Sequence, residues 1–257
     1  MRIISFCADG IKQATQNGFF EWVVEQDADI ICIQDLRCQE YDLTDNVFFP
    51  EGYYGYFFDS PSGVNGVAIY VRQIPKAIMT GLGFGESDMH ARYIQADYDN
   101  ISIGCILAPD VADGSPTAVE EKAVFFDQLA GHLNKIRNKR REFIICGNWQ
   151  MAHQDIDLQS PEDNEDCSGF LPFERQWMDN LYHELGYIDA FRTINNDSDE
   201  FTWWPNGERG KNGWRVDLQV ISNGMRSTVE YGAAYKSKEF SSHAPLIMDY
   251  DYELISG

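Results

Sequence analysis

The residues of this chain best suited to phosphoester chemistry are a few carboxylates, one histidine and two amides, each beside an apolar run. Phe143-Ile144-Ile145-Cys146 leads into Gly147-Asn148-Trp149-Gln150, a strand-like segment with a polar tip at its carboxyl end. Hard divalent cations need anionic oxygen, and an attacking water needs a base. A magnesium-dependent hydrolase is therefore expected to carry a carboxylate at such a tip. This one carries the neutral amides Asn148 and Gln150. Ile30-Ile31-Cys32-Ile33 delivers Gln34-Asp35 in the same way, and the run at 3–6 leads to Cys7-Ala8-Asp9. Asp217 follows Trp214-Arg215-Val216, and His243 lies within Ser242-His243-Ala244-Pro245. Asp9 and Asp35 read as weak cation ligands or as ordinary loop carboxylates. Asp217 and His243 read as a catalytic pair or as a hydrogen bond satisfied in the interior. The frame of a hydrolytic site is present, and its charged chemistry is thinned.

The elements that must position these groups alternate between strand and helix. A strand at 3–6, a helix over roughly 12–26 and a strand at 30–33 open the chain, a grammar that layers helices over sheets. Strands are predicted at 53–58, 67–71, 92–98 and 101–107, with Asp99-Asn100 as a hairpin turn. The glycine-rich stretch 72–91 reads as a connection near the rim. A long helix follows Ser115-Pro116, with Thr117 and Glu120 spaced as a capping box. Helix is expected over 175–185 and strands at 214–221, 229–231 and 246–250. Trp203 and Trp204 read as packing or as a surface on which bases stack.

The 257 residues suit one domain spanning 1–257. Twenty basic residues against 41 acidic ones give a net charge of −21, which repels a phosphate backbone at long range. Nucleic-acid binding then needs a local basic patch or a basic partner. Five of the seven residues from 135 to 141 are basic: Lys135, Arg137, Lys139, Arg140 and Arg141. They read as a solvated helix end or as a docking patch for RNA or a partner, and guanidinium forks suit phosphate and carboxylate. The six cysteines lack the spacing of a metal cluster. No membrane span or signal segment is apparent, so a cytoplasmic protein is expected.

Taken in order, Ser5 to Ile11, Ile33-Gln34-Asp35, Gly147 to Gln150, Trp214 to Asp217 and Ser242 to Pro245 resemble the exonuclease III/endonuclease–phosphatase family over residues 1–252. The segments 139–142 and 240–250 bring the chain closer still to the catabolite repression control (Crc) proteins, a non-catalytic branch. The resemblance implies a four-layer α/β sandwich: two mixed, mainly antiparallel sheets packed face to face, helices outside. It also implies what the positions do. Asp35 stands where the family has a metal-binding Glu, and Leu107 where a Tyr faces the phosphate. Asn148 replaces the Asp that activates water, Gln150 its Asn partner, and Ser242 the Asp of the closing motif. Cys7 replaces an Asn, while Asp9, His243 and its holder Asp217 survive. Loss of a base costs about 10²–10⁴ in rate, and of one oxyanion donor roughly 3–4 kcal/mol. The implied function is a non-catalytic translational co-repressor in carbon catabolite repression, using no metal or cofactor and no DNA substrate. Its implied partners are the RNA chaperone Hfq and A-rich mRNA held by that complex. A magnesium-dependent exodeoxyribonuclease III or abasic-site endonuclease is the alternative, carried by Asp9, Asp35, Asp217 and His243.

Overall fold

The computed structural model describes residues 1–111 and 115–254. In chain order its strands are β1 (Arg2–Cys7), β2 (Ile30–Gln34), β3 (Tyr54–Phe58), β4 (Val67–Val71), β5 (Ala77–Thr80), β6 (Tyr93–Asp97), β7 (Ile101–Leu107), β8 (Glu142–Asn148), β9 (Ile188–Asp189), β10 (Asp217–Ile221), β11 (Val229–Ala234) and β12 (Leu246–Tyr250). Its α-helices are α1 (Ile11–Gln16), α2 (Phe19–Val24), α3 (Pro116–Ile136) and α4 (Pro172–Asp179). Two six-stranded sheets result, ordered β11-β12-β1-β2-β4-β3 and β5-β6-β7-β8-β10-β9. The β1–β2 and β7–β8 pairs are parallel, and the other pairs are antiparallel.

The unbroken apolar runs in the central strands follow from burial on both faces. β1 turns Ile3 inward between the sheets and Ile4 and Phe6 outward beneath α1 and α2. β8 turns Ile144 and Cys146 inward, and Phe143 and Ile145 outward against Phe126, Leu129 and Leu133 of α3. The inner layer therefore belongs to both sheets, with one helical layer over each outer face. This is the four-layer mixed sandwich expected. Polar side chains also cross between the sheets. Gln34 Nε2 donates to Cys105 Sγ at 3.0 Å, and Gln219 Nε2 to the Ile3 carbonyl at 3.2 Å. No helix among the described residues is long and apolar enough to cross a membrane.

Several local expectations need correction. The helix foreseen over 12–26 breaks at Gly18, whose φ of 85° is left-handed, so α1 and α2 are separate short helices. The cap of α3 is Ser115, which accepts from the Ala118 N–H at 3.2 Å; Pro116 suits the first turn and starts the helix before Thr117. Ala77–Thr80 of the presumed connection pairs with β6 as a strand. β10 begins only at Asp217, because Trp214 instead forms bridges to Leu158 and Trp203.

Gly147 has no substitute at its position. Its φ is 147°, and a Cβ there would lie 1.9 Å from the Ile106 carbonyl oxygen of the neighbouring strand. Gly147→Ala is expected to cost about 3 kcal/mol or more. For a chain of this size that lowers Tm by roughly 6–12 °C. A melting curve matching the unaltered protein would contradict this close packing.

Candidate active site

The carboxyl ends of β1, β2 and β8 meet at one rim, together with the start of β10 and the loop that enters β12. Antiparallel pairing sets Asp217 opposite Asn148, and parallel pairing sets Leu107 opposite Asn148. Cys7, Asp9, Asp35, Asn148, Gln150, Ser242 and His243 all line one cleft of about 390 Å³. Asp217 lies buried beneath it, and Leu107 packs in the core between the sheets. Asp9, Asp35, Arg37 and Gln150 all have φ between 50° and 58°, a conformation uncommon for residues with side chains. Such local strain gathers where surrounding structure fixes a functional geometry.

His243 Nδ1 and Asp217 Oδ2 are 2.8 Å apart, and both residues are buried. Burial works against the imidazolium, but the Asp217 carboxylate outweighs it and holds the His243 pKa well above its ordinary value. With Nδ1 taken by Asp217, Nε2 is the ring nitrogen left on the cleft side, where Cys7 also meets the ring. The Trp203 ring stacks on it, centroids 5.8 Å apart and planes 21° apart. Thr202 Oγ1 accepts from the Asp217 N–H at 3.1 Å, which fixes the start of β10.

Asp9 and Asp35 share one guanidinium. Arg37 Nη2 is 2.6 Å from Asp35 Oδ2 and 3.2 Å from Asp9 Oδ1, while Nη1 donates to the Asp9 carbonyl at 3.3 Å. The other Asp9 oxygen accepts from the Ser242 N–H at 3.1 Å and from the Ser242 hydroxyl. Ser242 is thus a clamp on Asp9. Burial raises the Asp35 pKa and Arg37 opposes that rise.

The fold family implies a divalent cation here, and the donors do not fit one. Magnesium takes six oxygens in near-octahedral geometry. Three of the four carboxylate oxygens of Asp9 and Asp35 are already engaged by Arg37 and Ser242. Cys7, Asp9 and His243 also place donor atoms within 4.8 Å of one another. Burial pushes the Cys7 thiol up to about 11, and His243 Nδ1 is already taken by Asp217.

Asn148 is a structural tip. Its Oδ1 accepts from the Gln150 N–H at 2.9 Å and its Nδ2 reaches Cys7 Sγ at 3.5 Å. Lys122, 1% exposed, pairs with buried Glu174 at 2.5 Å and donates to the Gln150 carbonyl at 2.8 Å, pinning this loop from below. Arg92 donates to the carbonyls of Leu107 and Ala108 at 3.4 and 3.3 Å. Sequence reasoning missed Arg37, Arg92 and Lys122. Only Arg37, two residues past Asp35, left a signal that could have been read.

The basic cluster lies elsewhere. Lys135, Arg137, Lys139 and Arg140 are exposed. Arg137 donates to the Glu184 carbonyl at 2.8 Å, and Arg141 donates to the Tyr98 carbonyl. Arg137, Lys139 and Arg141 line a second cavity of about 880 Å³ that shares no lining residue with the cleft.

The chain is similar to an exodeoxyribonuclease of Bacillus subtilis, 27% identical over 96% of this chain and 98% of the relative. It is similar to a DNA-(apurinic or apyrimidinic site) endonuclease of Dictyostelium discoideum, 28% identical over 96% of this chain and 69% of the relative. An AP endonuclease structure from Archaeoglobus fulgidus superposes with a TM-score of 0.88 at 24% identity, covering 98% of this chain and 100% of that one; this likeness concerns the fold. These relatives correct the expectation of a non-catalytic co-repressor working through Hfq on A-rich mRNA, and the expectation that DNA is no substrate. They are named as DNA-cutting enzymes, and none of their names points to Hfq or translation. The expectation held that the surviving Asp217–His243 pair could not replace base, donor and anionic support lost together, whereas Asp9, Asp35 and His243 still converge on one cleft with Asp217 buried beneath it. The Endonuclease/Exonuclease/phosphatase family pattern fits residues 11–232, and the chain belongs to that family.

Proposed function

We propose that the chain is a phosphoesterase acting on DNA. The observation that carries this reading is the buried Asp217–His243 pair, which fixes the imidazole in the wall of a cleft that Arg37 also lines. A phosphate in that cleft meets the Arg37 guanidinium and the His243 ring, with the Asp9 and Asp35 carboxylates beside them. The contacts from guanidinium and ring gain strength as charge builds on the phosphoryl oxygens, the preorganised stabilisation that accounts for much of hydrolytic catalysis. The relatives' names supply the substrate class. Asp35, raised by burial, is the carboxylate best suited to take a proton from the attacking water. With Asn148 tied into its turn and offering no carboxylate, turnover is expected about 10²–10⁴-fold below that of a site with a dedicated base. A place in the catabolite-repression-control branch is carried by the segments 139–142 and 240–250 alone.

The net charge sets the conditions for finding this activity. At −21 the protein repels DNA over distances that salt screens to about 8–10 Å near physiological ionic strength. Association is expected to gain, or change little, as salt rises from very low values, unlike the steep loss of basic DNA-binding proteins. The test is incubation of purified protein with three labelled DNAs: a duplex with one abasic site, a duplex with recessed 3′ ends and a 3′-phosphorylated hairpin. Product from at least one is expected. Intact DNA in all three after prolonged incubation with folded protein would end this reading.

A further inference from the structure

We propose that Arg37 is a built-in cation, holding the position between Asp9 and Asp35 that a divalent metal ion would take. The inference goes beyond the proposed reaction, because it concerns the ion and stands on contacts alone. Arg37 Nη2 bridges Asp35 Oδ2 at 2.6 Å and Asp9 Oδ1 at 3.2 Å, and Nη1 binds the Asp9 carbonyl. One guanidinium face thus spans both carboxylates, as an ion between them would.

Three features make this a built arrangement. Arg37 follows Asp35 by two residues, and both have left-handed backbones, φ 50° and 58°. That double turn carries the side chain back over the end of its own strand. The Arg37 N–H donates to the Asn65 carbonyl at 2.9 Å, and the Leu36 N–H to the Gly66 carbonyl at 3.2 Å, so the backbone beneath is fastened to the loop entering β4. On the opposite side Ser242 occupies Asp9 Oδ2 through both its N–H and its hydroxyl. An incoming dication must therefore displace a like-charged group and break the Ser242 contacts. Guanidinium has five N–H donors. The three contacts use three of the five, and Arg37 lines the cleft with donors to spare. In this cleft, charge toward the phosphate comes from the chain itself.

Manganese serves as the probe, because its binding is read by electron paramagnetic resonance without any DNA or turnover. The full chain is expected to leave Mn²⁺ free at millimolar concentration. Arg37→Ala, with two carboxylates released from their cation, is expected to bind it at least about tenfold more tightly. Adding Asp35→Asn to that variant should abolish the gain. Arg37→Gln, which keeps the side-chain bulk, serves if the alanine variant fails to fold. Tight Mn²⁺ binding by the unaltered protein would overturn the proposal, as would an Arg37 variant that folds and gains no affinity. Neither result depends on whether the cleft cuts DNA, so failure here and failure of the phosphoesterase reading are separately visible.

Discussion

Replacing Arg215 by Ala is expected to cost about 3–5 kcal/mol of stability. Arg215 is 3% exposed and pairs through Nε with Asp157 Oδ1 at 2.8 Å and through Nη2 with Asp189 Oδ2 at 2.6 Å. Arg192 reaches the same Asp157 oxygen at 2.7 Å. The second Asp157 oxygen accepts from the N–H groups of His153 and Gln154, and its carbonyl accepts from the Arg215 N–H. Removing Arg215 takes the guanidinium from buried Asp189, leaves Asp157 with Arg192 as its cation and loosens the loop after β8. The expected fall in Tm is roughly 6–20 °C. A loss below about 1 kcal/mol in a denaturant titration would show that the network relaxes easily.

The same network fixes a pH window. Burial alone would raise the Asp157 pKa, but Arg215 and then Arg192 more than offset it and hold the group well below the ordinary carboxylate range. A depressed carboxylate stabilises the fold above its unfolded pKa of about 3.9, and that contribution is lost only as pH falls through the folded value. Asp157 should therefore keep its contribution through mild acid. In Arg215→Ala that loss moves to higher pH.

Asp217→Asn should cut turnover on DNA by about 10²–10⁴-fold at pH 7.5 while substrate binding changes less. Burial lowers the His243 pKa, and the Asp217 carboxylate opposes that and raises it. An amide of the same shape removes that support, so the ring becomes neutral at lower pH and loses a proton it needs for the phosphate. Nitrogen-detected NMR should find the His243 ring protonated above its ordinary range in the unaltered protein and neutral at pH 7.5 in the variant. The sign for stability agrees. A raised histidine pKa contributes fully below about 6.5 and is lost as pH rises through the folded value. Identical ring titrations in both proteins would remove the basis for this role.

Much of this architecture is legible before any coordinates. The runs at 3–6, 30–33 and 143–146 are central strands because both faces are covered, and that alone places Asp9, Asp35 and Asn148 at strand ends. The convergence of Asp217 and His243 follows from motif order. Other features depend on what a linear reading cannot supply. The left-handed backbone at Asp35 and Arg37 carries no sequence signature, so the nearness of Arg37 to Asp35 in the chain did not show that its side chain folds back between the carboxylates. Arg215 sits in a strand-like run, yet its partners Asp157 and Asp189 come from a loop and an edge strand far along the chain. Ser242 shows the limit from the other side. Its replacement of a carboxylate suggested lost chemistry, whereas its hydroxyl and N–H hold Asp9 in place. Reading replaced groups only as losses therefore weighed too heavily against an enzyme.

The most direct measurement is a single-turnover time course, with protein in excess over each of the three end-labelled DNAs, the abasic duplex, the recessed duplex and the 3′-phosphorylated hairpin. Unaltered protein and His243→Ala would be purified in parallel and matched by circular dichroism and melting midpoint. The account predicts slow conversion of at least one DNA by the unaltered protein and at least a hundredfold slower conversion of it by the variant. Equal rates from the two on all three DNAs, at the level of a mock preparation, would contradict it.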